Sequence, residues 1–246
     1  MKYFYPHIPP IWLTAPFMKE FCGKSIFNTT DVLDLGLTNS KIEYESKHNS
    51  HGYREKDFED SYLQYDQLFL AFGHSTVAGS GVNEDEVFVR IIENSLPNTR
   101  VLNFGVPSGA ADTVARMVSC TVPYFKKLCK ELNVIILWPD SSRRELILDN
   151  VSKCITSHHK PPFPEYFKLI DNTSNNHNLE KNKFLVDTVC NLYQVKIYTI
   201  PLELYQQSLS DLAPDKTGPS ASGHRMFAKC ILDQLKDSNS LLQNLY

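Results

Sequence analysis

The stretch Gln67-Leu-Phe-Leu-Ala-Phe-Gly-His-Ser-Thr-Val-Ala-Gly-Ser-Gly-Val82 indicates the fold of this chain most clearly. Its first six residues form a short apolar run, which is typical of a buried strand. Gly73, His74 and Ser75 then form a turn. A serine on a sharp turn between a strand and a helix has an exposed hydroxyl, and backbone N–H groups at a helix N-terminus can stabilise an oxyanion. Because serine is also a common helix cap, this stretch alone favours neither role.

Predicted strands and helices alternate along the rest of the chain. Apolar runs predict strands, and apolar residues at helical spacing predict helices. The predicted strands span 67–72, 100–104, 133–138 and 195–200, and the predicted helices span 84–95, 110–132, 179–192 and 221–235. We expect Pro123 to break or kink the second helix. The alternation predicts a three-layer α/β/α fold with a central parallel sheet, whose ligands bind beyond the carboxyl ends of the strands.

Two segments lack this alternation. Residues 1–66 contain several prolines and no strong periodicity, so we expect an irregular N-terminal arm that packs on an α/β domain formed by residues 67–246. Residues 150–180 are polar and contain three further prolines and an asparagine-rich run, which predicts a surface excursion. Its Asn and Lys content is typical of an AT-rich genome, such as that of a virus.

The composition is that of an ordinary soluble protein, with 246 residues, 42% hydrophobic and 22% charged. A net charge of −3 gives no electrostatic support for nucleic-acid binding. We find neither a long apolar run nor an apolar signal peptide, so we expect no membrane span and a location in the cytoplasm or in a virion. The six cysteines include no C-x-x-C pair, so we predict core thiols, no metal and no cofactor, although their even number leaves disulfides open.

Further polar groups follow the other predicted strands. Gly105 ends the second strand and can point its N–H towards the same crevice as Ser75. Asp140 and Arg143 follow the third strand, where an arginine can bind an anion or can lie on a solvated face beside Glu145. Phosphate-ester chemistry through this arginine is a weaker hypothesis, because no glycine-rich phosphate loop accompanies it.

Taken in chain order, these blocks resemble the SGNH (GDSL-type) serine hydrolase family. The family's Gly-Asp-Ser-x-Thr-x-Gly-x-Gly block is similar to Gly73-His-Ser-Thr-Val-Ala-Gly-Ser-Gly81, and its Asn-x-Gly turn is similar to Asn103-Phe-Gly105. Its Asp-x-x-His-Pro-x-x-x-Gly-His block resembles Asp215-Lys-Thr-Gly-Pro-Ser-Ala-Ser-Gly-His224. Upstream, Asn49-Ser-His-Gly-Tyr-Arg54 resembles an Asn-x-x-Gly-Phe-Arg element of some members. The resemblance implies a flavodoxin-like hydrolase fold and the hydrolysis of acyl esters.

The resemblance also implies roles for single residues. Ser75 corresponds to the nucleophile, and its N–H and that of Gly105 correspond to oxyanion donors. Asp215 corresponds to the aspartate that orients the catalytic histidine. The position of that histidine holds Gly218, however, and a serine without a base in hydrogen-bond reach is a poor nucleophile.

Two further departures concern the same site. The aspartate of the first block is replaced by His74, and the asparagine of the third block has no counterpart in Trp138-Pro-Asp140. The loss of one oxyanion donor costs about 10²–10³ in rate. The blocks therefore predict a degenerate catalytic triad.

Several histidines remain as candidate bases for Ser75. His74 is its neighbour in sequence, His224 lies on the last predicted helix, and His158 and His159 lie in the polar excursion. Each is also a plausible surface or structural histidine.

Two functions are therefore left open. One is a serine ester hydrolase with a rewired site, acting on an acylated small molecule or carbohydrate. The alternative is a catalytically inactive protein of the same fold that binds a carbohydrate or other ligand or serves as a structural component, including in a virus. In either case the N-terminal arm is a candidate surface for a protein partner.

Overall fold

The computed structural model describes residues 26–28, 43–45, 48–148, 151–155, 171–213 and 218–243. The strands are β1 (Ile26–Asn28), β2 (Glu43–Glu45), β3 (Gln67–Gly73), β4 (Thr99–Gly105), β5 (Glu131–Ile136), β6 (Arg144–Leu148), β7 (Val151–Ile155) and β8 (Lys196–Thr199). The helices are α1 (Ser75–Ala78), α2 (Phe88–Ser95), α3 (Ala111–Phe125), α4 (Asn172–Leu192), α5 (Leu202–Ser208) and α6 (Ala221–Gln243). A 3-10 turn at Glu84–Glu86 precedes α2.

The central sheet is parallel and, within the described ranges, has the strand order β4-β3-β5-β8. β3 pairs with β4 on one side, where Gly73 lies opposite Gly105. On its other side it pairs with β5, where Phe72 lies opposite Ile136. The carboxyl ends of these three strands therefore meet at one edge of the sheet. Two antiparallel pairs, β1 with β2 and β6 with β7, lie outside this sheet.

Both faces of the sheet are covered by helices. Leu68, Leu70 and Phe72 of β3 belong to a core that includes α3 and α4, whereas Phe69 and Ala71 belong to a second core with α2 and α6. Alternate side chains of a strand point to opposite faces, so a strand covered on both faces must be apolar throughout. Burial of each large apolar side chain contributes roughly 1.5–3 kcal/mol. This arrangement confirms the predicted three-layer α/β/α fold.

Two predicted helices have different bounds in the structure. The helix predicted at 84–95 is interrupted at Val87, whose extended backbone separates the 3-10 turn from α2. The helix predicted at 110–132 ends at Phe125, and Pro123 lies within its last turn instead of breaking it. Turns follow directly, with the Leu128 N–H donating to the Phe125 carbonyl at 2.9 Å.

The predicted surface excursion at 150–180 contains regular structure. Its first residues form β7, which pairs with β6. α4 begins at Asn172, well before the predicted start at residue 179, because the Asp171 carboxylate caps it by accepting the Ser174 N–H at 2.8 Å. The asparagine-rich run therefore forms the first turns of a helix. Residues 156–170, with His158 and His159, lie outside the described residues.

Residues 48–66 pack against the sheet. Tyr53 and Tyr62 are buried in the same core as α3. The ring of Tyr53 meets that of Phe104 edge-on at 5.1 Å, and the ring of Tyr62 lies 5.7 Å from that of Phe125. A domain boundary at residue 66 stays a prediction. None of the described helices has the length and apolar character needed to cross a membrane.

The short helix α1 lies directly on the end of β4. A Cβ added to Gly105 would lie 2.1 Å from the Ala78 backbone nitrogen and 2.6 Å from the Val77 carbonyl carbon. Both neighbours are backbone atoms of a helix, so they cannot move aside as a side chain would. Gly105 is therefore required by the close approach of two backbone segments.

We expect Gly105→Ala to lower the free energy of unfolding by about 3 kcal/mol or more, because overpacking of a rigid site commonly costs about 1–3 kcal/mol and backbone cannot yield. Urea unfolding measures this. Gly218→Ala is the matched control, since the nearest atom to its Cβ among the described residues would be the Thr76 hydroxyl oxygen at 3.7 Å. Equal unfolding midpoints for the two variants would contradict the close packing of α1 on β4.

Candidate functional site

Ser75 lies where the sequence predicts it, at the carboxyl end of the central strand. It is the first residue of α1 and is separated from β3 by His74 alone. Its side chain is half-buried, whereas the three residues that follow it in α1 are buried. The Ser75 hydroxyl therefore stands at the edge of the core, where the ends of three strands meet.

Backbone hydrogen bonds hold the turn that carries Ser75. Its carbonyl accepts the Ser80 N–H at 3.0 Å, and the Thr76 carbonyl accepts the Gly79 N–H at 3.1 Å. Gly79 ends α1 in the left-handed conformation, with φ of 77°, which glycine adopts without strain. His74 begins the helix, because its Nδ1 accepts the Thr76 N–H at 3.4 Å.

The same ring nitrogen of His74 faces the candidate nucleophile. Nδ1 lies 3.4 Å from the Ser75 Oγ. Because this nitrogen accepts a backbone N–H, it carries no proton, and its single lone pair can take the hydroxyl proton of Ser75 only when the Thr76 N–H gives it up. The distance is longer than a typical O–H···N bond, although such contacts often tighten when a substrate binds. His74 thus supplies an acceptor to Ser75, while its catalytic role stays a prediction.

The surroundings of His74 make it a weak base. Its ring is buried and meets the ring of Tyr205 edge-on at 5.1 Å. Burial, together with a smaller effect of the positive charge of Arg143 and against the opposing charge of Asp140, lowers the pKa of His74 to about 3. His74 is therefore neutral at physiological pH.

Asp140 and Arg143 form a turn after β5 at the same edge of the sheet. The Asp140 carboxylate accepts the Ser142 N–H at 2.8 Å, and its carbonyl accepts the Arg143 N–H at 3.2 Å. Asp140 is exposed and Arg143 is half-buried. Glu145, which lies in β6 after Arg143, pairs with Arg116 at 2.7 Å. Substrate binding by either turn residue stays a prediction.

The prediction of Gly105 as an oxyanion donor needs correction. Its N–H donates to the Asn103 Oδ1 at 2.9 Å, and α1 covers its Cα. The bond lies inside the packed contact between β4 and α1, so this N–H is not presented to a ligand. The glycine serves backbone packing, which the strand-end position could not distinguish from a donor role.

His224 lies in the second core, away from any contact with Ser75. Its ring is 0% exposed and is stacked on Phe88 with centroids 6.0 Å apart. Nδ1 accepts the Phe88 N–H at 3.3 Å, so the histidine ties α6 to the first turn of α2. Burial, with a smaller effect of the positive charge of Arg54, lowers the pKa of His224 to about 4. A buried ring held in this way cannot act as the base for Ser75, which corrects that prediction.

Gly218 lies beside α1, at the position where the resemblance implies a histidine. Its carbonyl accepts the Ala213 N–H at 2.8 Å, which closes the loop before α6. A Cβ at this position would lie 3.7 Å from the Thr76 hydroxyl and 3.9 Å from the Ser80 carbonyl oxygen, so there is room for a side chain. Asp215, the predicted orienting carboxylate, lies outside the described residues.

Sequence reasoning missed a buried set of charged residues beside the site. Glu55 has a carboxylate that is only 1% exposed and pairs with Arg90 and Arg100. The signal was two adjacent residues of opposite charge, Arg54 and Glu55, next to aromatic residues that pack in the core. Among the described residues, no group of three or more His, Cys, Asp or Glu side chains is arranged to bind a metal ion.

No protein-family model matches the chain, and no curated protein sequence matches it. Similar solved structures include a member of the lipolytic protein G-D-S-L family from Veillonella parvula, with 13% identity, covering 68% of this chain and 97% of that one, and a TM-score of 0.41. The psychrotrophic esterase EstA from Pseudoalteromonas sp. has 8% identity, coverage of 70% and 98%, and a TM-score of 0.42. TesA has 11% identity, coverage of 70% and 99%, and a TM-score of 0.40. No residue role is taken from these similarities.

The two buried histidines make stability depend on pH. The pKa values of His74 and His224 lie well below 6.5 in the folded chain, so the unfolded chain binds their protons first as the pH falls. We expect the free energy of unfolding to decrease from pH 7 to pH 5, by up to ~1 kcal/mol per pH unit for each histidine. Urea unfolding at several pH values measures this slope.

His224→Asn is the variant that isolates one of the two groups. The asparagine carbonyl can still accept the Phe88 N–H, but it cannot take up a proton in this range. We expect a lower stability at pH 7 and a clearly smaller decrease between pH 7 and pH 5 than in the unaltered chain. An unchanged slope would show that His224 is not held neutral by burial.

Proposed function

We propose that the chain is a serine ester hydrolase with a rewired site, in which Ser75 is the nucleophile and His74 accepts its proton. The observation that carries this proposal is the position of the Ser75 hydroxyl, half-buried at the carboxyl end of the central strand and 3.4 Å from an unprotonated ring nitrogen. The ordered blocks that resemble the SGNH hydrolases support the same residue. They also support an acylated small molecule or carbohydrate as the substrate.

The reaction follows from these groups. The Ser75 Oγ attacks the acyl carbon of an ester while its proton passes to the His74 Nδ1, which releases the Thr76 N–H, and the carbonyl becomes an oxyanion. The Ser75 N–H, at the N-terminus of α1, is the remaining candidate oxyanion donor, because the Gly105 N–H is engaged by Asn103. The proton then moves to the departing alcohol, and water releases the acyl group from Ser75 by the reverse sequence.

The burial of His74 limits this chemistry. A base with a pKa of about 3 accepts a proton weakly at neutral pH, so the hydrolysis should be slow. A slow rate also agrees with the lack of a side chain at position 218. Activity should persist below pH 6, because His74 stays neutral where an ordinary catalytic histidine becomes charged.

The second candidate function is ligand binding without catalysis. It is favoured by the same weak base, together with the glycine at position 218 and the engaged N–H of Gly105. In this case the crevice beside Ser75 would hold a carbohydrate or another acylated ligand, or the chain would serve as a structural component of an assembly. The two functions differ in the reactivity of the Ser75 hydroxyl.

Labelling with a fluorophosphonate probe tests this reactivity. We expect slow covalent labelling of the unaltered chain at Ser75, located by peptide mass spectrometry, and none in Ser75→Ala. Ser80→Ala is the matched control and should be labelled at the normal rate, since Ser80 is equally half-buried on the same turn but lies beyond the helix. A folded chain that is not labelled at all would reject the hydrolase and favour ligand binding.

Replacement of Gly218 by histidine should supply the missing base. A Cβ at position 218 would lie 3.7 Å from the nearest atom of the described residues, the Thr76 hydroxyl oxygen, so a side chain can start beside α1. We expect Gly218→His to increase the rate of Ser75 labelling by about 10²–10⁴, the usual contribution of a positioned general base.

Gly218→Asn is the control for this gain, because asparagine fills similar space but is not a base. The gain in Gly218→His should also disappear below about pH 6, as the new imidazole becomes protonated. Equal labelling of the two variants at pH 8 would show that position 218 does not face the Ser75 hydroxyl.

A further inference from the structure

The helix that carries Ser75 is too short to hold its own position. α1 has four residues, and isolated helices of this length are unstable because nucleation fixes several residues for a single hydrogen bond. The orientation of Ser75 must therefore be set by contacts with other parts of the chain. Asn103 contacts α1 itself, Arg54 contacts the loop that follows α1, and Glu55 in turn holds Asn103.

Asn103 of β4 connects α1 to the sheet. Its Nδ2 donates to the Val77 carbonyl at 2.8 Å, and its Oδ1 accepts the Gly105 N–H at 2.9 Å. The side chain is buried, with 1% exposure, so both bonds are shielded from water. Asn103 thus joins the backbone of α1 to the end of the neighbouring strand.

Arg54 holds the loop that follows α1. Its guanidinium donates to the carbonyl of Gly79, and to that of Val82 at 2.9 Å. Its Nε lies 2.8 Å from a carboxylate oxygen of Glu84, and the whole side chain is buried. A planar guanidinium can bridge several acceptors in this way, whereas an ammonium cannot keep the same geometry.

Glu55, the next residue, fixes Asn103. Its carboxylate accepts the backbone N–H of Asn103 at 2.9 Å. The same carboxylate pairs with Arg90 and, at 2.5 Å, with Arg100. Because these partners surround it, Glu55 cannot shift without leaving buried charges unpaired.

We infer that Arg54, Glu55 and Asn103 are positioning residues, which hold α1 so that the Ser75 hydroxyl stands at the edge of the sheet. The inference rests on the proposed function in one respect, which is that Ser75 is the reacting group. The position of the serine is set by side chains that do not themselves meet the substrate. A displacement of about 1 Å at a reacting group can cost a hundredfold in rate, so loss of one tie should be measurable.

Arg54→Lys tests the inference, with Arg116→Lys as the matched control. Both changes replace a buried, ion-paired arginine, but Arg116 lies on α3 and pairs with Glu145 of β6. We expect Arg54→Lys to slow fluorophosphonate labelling of Ser75 by about tenfold to a hundredfold. The maximal labelling rate should fall, while the probe concentration that gives half of this rate should stay the same. Arg116→Lys should lower the thermal midpoint with little change in the labelling rate per folded molecule.

Hydrogen exchange supplies a readout that does not depend on reactivity. The N–H groups of residues 77–80 are bonded within the turn, and they should exchange faster in Arg54→Lys than in Arg116→Lys at equal overall stability. Equal exchange in the two variants would overturn the positioning role, whatever the labelling shows. If the unaltered chain is not labelled but exchange differs as expected, the proposed hydrolase fails and the positioning of α1 stands.

Glu84→Gln provides a milder variant if Arg54→Lys does not fold. The Glu84 side chain is half exposed, at 47%, so the neutral amide of the Glu84→Gln variant remains accessible to water. It removes the ion pair that orients the Arg54 guanidinium, and we expect faster exchange of residues 77–80 and slower labelling, each by a smaller factor. No change in the exchange of this turn would also overturn the inference.

Discussion

The buried carboxylate of Glu55 joins three segments that are distant in sequence. It belongs to the segment before the sheet, and it pairs with Arg90 of α2 and Arg100 of β4. Glu93 meets the same two arginines and accepts the Val101 N–H at 2.7 Å. Buried ion pairs add little net stability compared with apolar packing, but the removal of one partner is costly. The network therefore contributes more to the specific arrangement of these three segments than to the free energy of unfolding.

The same arrangement fixes the backbone around Ser75. The turn around Ser75 is held by Asn103 and Arg54, and neither side chain depends on a base at position 218. The position of the serine therefore does not depend on the side chain at position 218.

The two buried histidines differ in what their bonded ring nitrogens face. His224 has one nitrogen bonded to a backbone N–H and its ring packed on Phe88, which makes it part of the core. His74 is also buried, but its bonded nitrogen faces the edge of the sheet and the Ser75 hydroxyl. Desolvation keeps both rings neutral. Among the described contacts of these two histidines, only that of His74 brings a ring nitrogen next to the candidate nucleophile.

Local pattern was enough to predict the layers of the fold and the place of Ser75. The apolar run of β3 can be buried only between two layers, and the Gly-His-Ser turn must follow it at the sheet edge, because both properties depend on neighbouring residues. The bounds of α4 were missed, since a polar, asparagine-rich run resembles a loop until Asp171 is seen to cap it.

Tertiary structure alone decided which polar groups near Ser75 can meet a ligand. Whether the Gly105 N–H is free depends on the Asn103 side chain and on α1, which packs against it from a different part of the chain. The partners of Glu55 lie 35 and 45 residues away, beyond the range of any periodic signal. Sequence by itself therefore determined the fold class and the candidate nucleophile, whereas burial and long-range pairing determined which polar groups lie beside Ser75 and which side chains hold its turn.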